Sequence, residues 1–246
     1  MCGFFFIHSK KNNIDFIKKS TAIALNEINH RGPNSKQQIS IGNNSFGHVR
    51  LSIQDLSSNA NQPFFSLSKK NLVIFNGEIY NHLELRKKYL SNFNWKTNSD
   101  TETLIELFEY LGFDTLLSEI IGMYSFVIYS IEKKIIFTAR DQYGEKPNYI
   151  FNNNDFIIIT SDLKTILKNL QINKSVNIES VNSFLKYGFI PSLSSIINES
   201  FQLPNNSNLT INLKSTNIIN LKNLKNKINT NPVKIIKNDQ GINISF

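Results

Sequence analysis

A thiol, a guanidinium, a carboxamide and two carboxylates stand in four short segments of this chain, and together they could do chemistry that none could do alone. The thiol is Cys2, the only cysteine, directly behind the initiator methionine. Methionine is normally trimmed before a small residue, so the mature chain is expected to begin with cysteine. One residue would then carry a thiol and a free α-amine. An unperturbed α-amine has a pKa of roughly 7.7–8.0, and its neutral form can take the thiol proton directly or through a water. Gly3 beside it lets another group approach the backbone closely. The plain alternative is an incidental cysteine at the entry to a strand.

Arg50 lies in Gly47-His48-Val49-Arg50-Leu51-Ser52-Ile53, where its planar fork suits a carboxylate, unless it is an ordinary solvated arginine. Asn76-Gly77-Glu78-Ile79-Tyr80-Asn81 follows an apolar strand. An amide from Asn76 and the backbone N–H of Gly77 can converge on a developing oxyanion, and Glu78 can meet an ammonium group. The competing reading is a plain Asn-Gly turn. Asp100, just inside a helix start, can complement the helix dipole or hold an ammonium group. A nucleophile, an oxyanion hole, a cation for a carboxylate and acids for an amine match the functional groups of free glutamine.

The elements that must carry these groups alternate between helical and strand periods. Strands are expected over Phe4–His8, Ser45–Ile53 and Leu72–Phe75, the last ending in an Asn76-Gly77 turn. A helix is expected from Ile14 to Ile28, with Ile17, Thr21, Ala24, Leu25 and Ile28 on one face, broken at His30-Arg31-Gly32-Pro33. Ser99-Asp100-Thr101-Glu102 has the form of a capping box, with Ser99 as N-cap and Glu102 reaching back to it. Its helix carries Leu104, Leu107, Phe108 and Leu111 inward and stops at Gly112. Strands follow over Met123–Ser130, Lys134–Ala139, Asn148–Phe151 and Phe156–Thr160. Short helices come next over Ser161–Leu170 and Ile178–Tyr187, then a hairpin of Leu209–Leu213 with Asn217–Leu221. Beyond Lys222 periodicity fades and a poorly ordered basic tail is expected. The pattern is α+β.

With 246 residues, 40% of them hydrophobic and 11% aromatic, the chain can bury a proper core. A lone cysteine excludes a disulfide framework, no Cys/His cluster has zinc spacing, and no cofactor is implied. Phe4-Phe5-Phe6-Ile7 is too short for a signal core or a membrane span, so a cytoplasmic protein is expected. The net charge of +8 comes from scattered lysines, densest in the tail, which reads as a solvated surface and not as a nucleic-acid groove.

Read in order, these segments resemble the glutaminase domain of glutamine-hydrolysing asparagine synthetases, the class II (N-terminal nucleophile) amidotransferases. The matching strings are Met1-Cys2-Gly3, Arg31-Gly32-Pro33, His48 to Ile53, Asn76 to Asn81, Ser99 to Glu102, Ile121 to Phe126, and Ala139-Arg140-Asp141 with Gly144, Lys146 and Pro147. The resemblance implies a four-layer αββα sandwich of the N-terminal-nucleophile hydrolase type over residues 1–213, with 214–246 as a last strand and tail. It implies Cys2 as nucleophile, Asn76 and Gly77 as oxyanion hole, Arg50 on the glutamine α-carboxylate, and Glu78 and Asp100 on its α-ammonium. Backbone groups around Leu51 and Ile53 complete the site. Asn34, Asp162 and Leu203-Pro204-Asn205-Asn206 depart from the family pattern without touching these residues. No Ser-Gly-Gly-x-Asp-Ser pyrophosphate loop occurs in the sequence, so the ATP-dependent synthetase domain is expected on a separate chain, docked near Arg140-Asp141 and Pro204. The alternative is a truncated or non-catalytic amidotransferase-fold module that binds a partner.

Overall fold

The computed structural model describes residues 1–169, 172–191 and 193–214, and the backbone of 217–223, 234–238 and 241–245. In chain order the strands are β1 (Gly3–Ser9), β2 (Ser35–Ile41), β3 (Asn44–Arg50), β4 (Phe64–Phe65), β5 (Asn71–Ile79), β6 (Gly122–Ser130), β7 (Ile135–Arg140), β8 (Tyr149–Asn152), β9 (Phe156–Thr160), β10 (Ser200–Gln202), β11 (Ser207–Asn212), β12 (Asn217–Asn223), β13 (Lys234–Asn238) and β14 (Gly241–Ser245). The helices are α1 (Ile14–Glu27), α2 (His82–Tyr89), α3 (Asp100–Leu111), α4 (Phe113–Glu119), α5 (Lys164–Leu167) and α6 (Ile178–Tyr187).

Two antiparallel sheets run in the orders β10-β8-β9-β1-β3-β2 and β12-β11-β7-β6-β5-β4. The central strands β1, β5, β6 and β9 are largely apolar on both faces because both faces are covered. Phe4 and Phe6 of β1 join Leu72 and Ile74 of β5 in the core between the sheets. The alternate residues Phe5 and Ile7 pack outward with Ile17 and Ala24 of α1. Val73 and Phe75 pack outward with Leu104, Leu107 and Phe108 of α3. Helix, sheet, sheet and helix are the four layers expected.

The expected hairpin forms as β11 with β12, and in the tail β13 pairs with β14, while 224–233, 239–240 and 246 lie outside the described residues. Two expectations are corrected. Asn76-Gly77 is not a turn: β5 continues through it to Ile79, paired with β6 from Asn71↔Ser130 to Ile79↔Gly122. The capping box is only half formed. Ser99 caps α3 by accepting from the Thr101 N–H, but Glu102 accepts from the N–H groups of Lys96 and Thr97 instead of reaching Ser99. Among the described residues no helix is long and apolar enough to cross a membrane.

Candidate active site

The entry of β1 sets the thiol. Cys2 immediately precedes the Gly3↔Val49 pair, which brings it against the chain leaving β3. Its Sγ accepts from the Leu51 N–H at 3.4 Å and lies 3.6 Å from the Leu51 carbonyl. Arg31 fixes the other side of the residue, donating from Nε to the Cys2 carbonyl at 3.1 Å and facing Asp162 at 3.5 Å. Burial pushes the Cys2 thiol pKa up, and the Leu51 hydrogen bond, the chain's terminal positive charge and Arg50 oppose that rise without cancelling it. The resting sulfur is therefore a thiol, and its attack requires a base.

The free edge of β5 supplies donors. Phe75 donates its N–H to Gln62 Oε1 at 2.6 Å, and Ile79 donates to Asp100 Oδ2 at 2.9 Å. Backbone direction alternates along a strand, so Gly77, between them, turns its N–H to the same edge. A Cβ on Gly77 would fall 2.2 Å from the Met123 carbonyl oxygen, which is why this strand carries glycine there. Asn76 is buried, and its Nδ2 has no hydrogen-bond partner. An orphaned buried amide donor is costly and rare, and here it borders the same cavity as the thiol.

Arg50 ends β3 with its guanidinium inside the loop that follows. It donates to the Ser57 carbonyl at 2.7 Å, to Asn61 Oδ1 at 3.0 Å and to the Asp55 carbonyl, leaving part of its fork uncommitted among the described residues. Asp100 opens α3, and burial together with the nearby Glu78 charge raises its pKa to about 6, against the hydrogen bonds from Ile79 and Thr101. Glu78 is half-buried beside it. The eight residues expected from sequence (Cys2, Arg50, Leu51, Ile53, Asn76, Gly77, Glu78 and Asp100) all line one cavity of about 230 Å³. A thiol, a side-chain amide and a backbone donor, a guanidinium and two acids thus face a common space.

Comparison with known proteins gives the family of the chain. A family described as "Glutamine amidotransferase domain" matches residues 1–222. The chain belongs to this family. Over 214 residues this amidotransferase domain is 36% identical to "Putative asparagine synthetase (glutamine-hydrolyzing) 2" of Methanocaldococcus jannaschii, covering 78% of the chain and 40% of that protein. It is 31% identical to asparagine synthetase (glutamine-hydrolyzing) 1 of Bacillus subtilis, covering 80% of the chain and 31% of that protein. The chain thus spans less than half the length of these relatives. A solved glutamine phosphoribosylpyrophosphate amidotransferase from B. subtilis, 19% identical, superposes with a TM-score of 0.63 over 93% of this chain and 50% of that one. That likeness shows the shared fold.

Several residues of the amidotransferase site escaped the sequence reading. Gln62 bridges β5 and α3, accepting from the Phe75 N–H and donating to Thr101 Oγ1 at 3.2 Å. Gln54 joins Glu78 to Asp100, and Lys146 lines the cavity near Met1. Arg86 is buried and holds the approach to Asp100, donating to the carbonyls of Thr97 and Ser99 while lying 3.8 Å from the Trp95 ring centre. Only the Gln62-Pro63 punctuation offered a sequence signal. None of the four histidines, His8, His30, His48 and His82, lines the cavity. His48 is instead buried behind it, bonded to the Phe75 carbonyl at 3.0 Å, and burial drives its pKa down to about 4. Arg140 and Asp141, expected near a docking face, are buried and turned inward. Arg140 donates to the Lys146 and Leu203 carbonyls, and Asp141 accepts from the N–H groups of Tyr143, Glu145 and Lys146.

Proposed function

We propose that this domain hydrolyses L-glutamine to glutamate and ammonia, and that the ammonia serves amide synthesis by an ATP-dependent synthetase unit outside residues 1–246. The observation that carries the chemistry is the orphaned Asn76 Nδ2, buried without an acceptor of its own on a residue that lines the same cavity as Cys2. Arg50 receives the substrate α-carboxylate and Glu78 with Asp100 the α-ammonium, which leaves the side-chain amide directed at Cys2. Met1 borders the cavity, so trimming it puts the Cys2 amine at the wall. That amine takes the thiol proton as sulfur adds to the amide carbonyl, and the oxygen's charge is met by Asn76 Nδ2 and the Gly77 N–H. The amine returns the proton to nitrogen, ammonia leaves, and water then cleaves the thioester to glutamate. The relatives named asparagine synthetases support asparagine or a related amide as the final product, and the family does not favour a non-catalytic module.

The test is glutamate release from glutamine by the purified chain. The expected result is turnover by wild type and none by Cys2→Ala, with no amide product until a synthetase is added. Residual turnover in Cys2→Ala would refute the assignment.

A further inference from the structure

Gln54 sits on the loop after β3, and nothing in the mechanism above uses its side chain. Yet its amide bridges the Glu78 carboxylate and the backbone of Asp100. Its Nε2 donates to Glu78 Oε1 at 3.0 Å, and its Oε1 accepts from the Asp100 backbone N–H at 3.3 Å. The second bond also satisfies one of the N–H groups that the start of α3 leaves unpaired. We propose that Gln54 sets the affinity of the α-ammonium subsite: its amide holds the place between Glu78 and Asp100, and substrate binds by displacing it. This inference rests on the glutamine reading of the site.

Three features support a displaceable occupant over a fixed wall. Gln54 is exposed, so it has solvent to turn into. The loop itself is pinned by its neighbour Asp55, whose Oδ2 accepts from the Asn98 N–H at 2.8 Å and whose carbonyl accepts from Arg50. Departure of Gln54 therefore needs side-chain rotation and leaves the Arg50 anchor in place. Finally, a neutral amide satisfies the acids poorly. It gives Glu78 one bond from an uncharged donor and donates nothing to the Asp100 carboxyl, whereas an ammonium brings an opposite charge and three donors to the pair. The exchange favours an ammonium ligand and opposes ligands that lack one.

The test is calorimetric titration of wild type, Gln54→Ala and Gln54→Met with L-glutamate, and with glutarate, which has both carboxylates but no ammonium. Losing the one or two neutral bonds that must be broken is expected to lower the L-glutamate Kd by roughly 2–10-fold in both variants. The glutarate Kd should stay within about twofold, since glutarate does not contest that place. Unchanged or weaker L-glutamate binding in the variants would overturn the proposal while leaving the glutamine reading standing. Equal tightening of both ligands would overturn it too, by pointing to a general opening of the cavity. Failure of every form to bind L-glutamate would overturn it together with the glutamine reading.

Discussion

Replacing Asp100 with asparagine is expected to stabilise the fold while weakening substrate binding. The Asp100 carboxyl is buried, and its pKa is raised from 3.8 to about 6 by burial and by Glu78. Because the folded chain holds this proton more tightly than the unfolded chain, stability is lost as pH rises through that window. At about 1.4 kcal/mol per pH unit, full ionisation costs about 3 kcal/mol, roughly half of it already incurred by pH 5. An asparagine oxygen can still accept from the Ile79 N–H, so the backbone contact survives. Loss of a favourable charge at the start of α3 takes back up to about 1 kcal/mol. The net gain should be about 2 kcal/mol at pH 8 and about half that at pH 5, read as a shifted urea midpoint with unchanged slope. The same variant should raise the glutamine KM by roughly 10–100-fold, the worth of one charge-assisted hydrogen bond. In wild type that KM should also climb as pH falls through about 6, where Asp100 takes up its proton. A variant less stable than wild type at pH 8, or a gain independent of pH, would refute the reasoning.

Other substitutions separate the remaining roles. Asn76→Ala should lower kcat by roughly 10²–10³-fold with little change in KM, as steady-state kinetics will report, because its amide meets charge that develops only during reaction. Arg50→Ala should instead raise KM, since its partner carboxylate keeps the same charge throughout; an exchange of these two patterns would mean the roles are reversed. Gly77→Ala forces a methyl group against the Met123 and Tyr124 backbone, so β5 and β6 must part. It should lose about 1–3 kcal/mol in urea unfolding as well as activity.

What was legible in the sequence followed from strong local signals. Phe4–His8, the helix face through Ile17, Ala24 and Leu25, and the Ser99 cap all carry apolar periods or side-chain chemistry that survives packing. The eight cavity residues were recognisable as motif strings, although only the fold brings segments around residues 2, 50, 77 and 100 to one cavity. The elements that went unseen lack such signals. β2 is a largely polar edge strand, and α2 buries mainly His82, Leu85 and Arg86, which gives no clear stripe. At Asn76-Gly77 the local turn preference loses to nine paired residues with β6, and the glycine is required by the close approach of that neighbour. Gln54 and Gln62 each join one backbone N–H to one side chain distant in sequence, and no spacing rule reports such contacts.

The central claim is that Cys2, with its own amine freed, is the nucleophile, and intact-mass spectrometry with a diazo-ketone analogue of glutamine tests it most directly. The expected spectrum shows a chain one methionine short of its coding sequence, carrying a single adduct that maps to Cys2 and is absent from Cys2→Ala. Labelling at any other residue, or full turnover by a chain that retains Met1, would contradict the account.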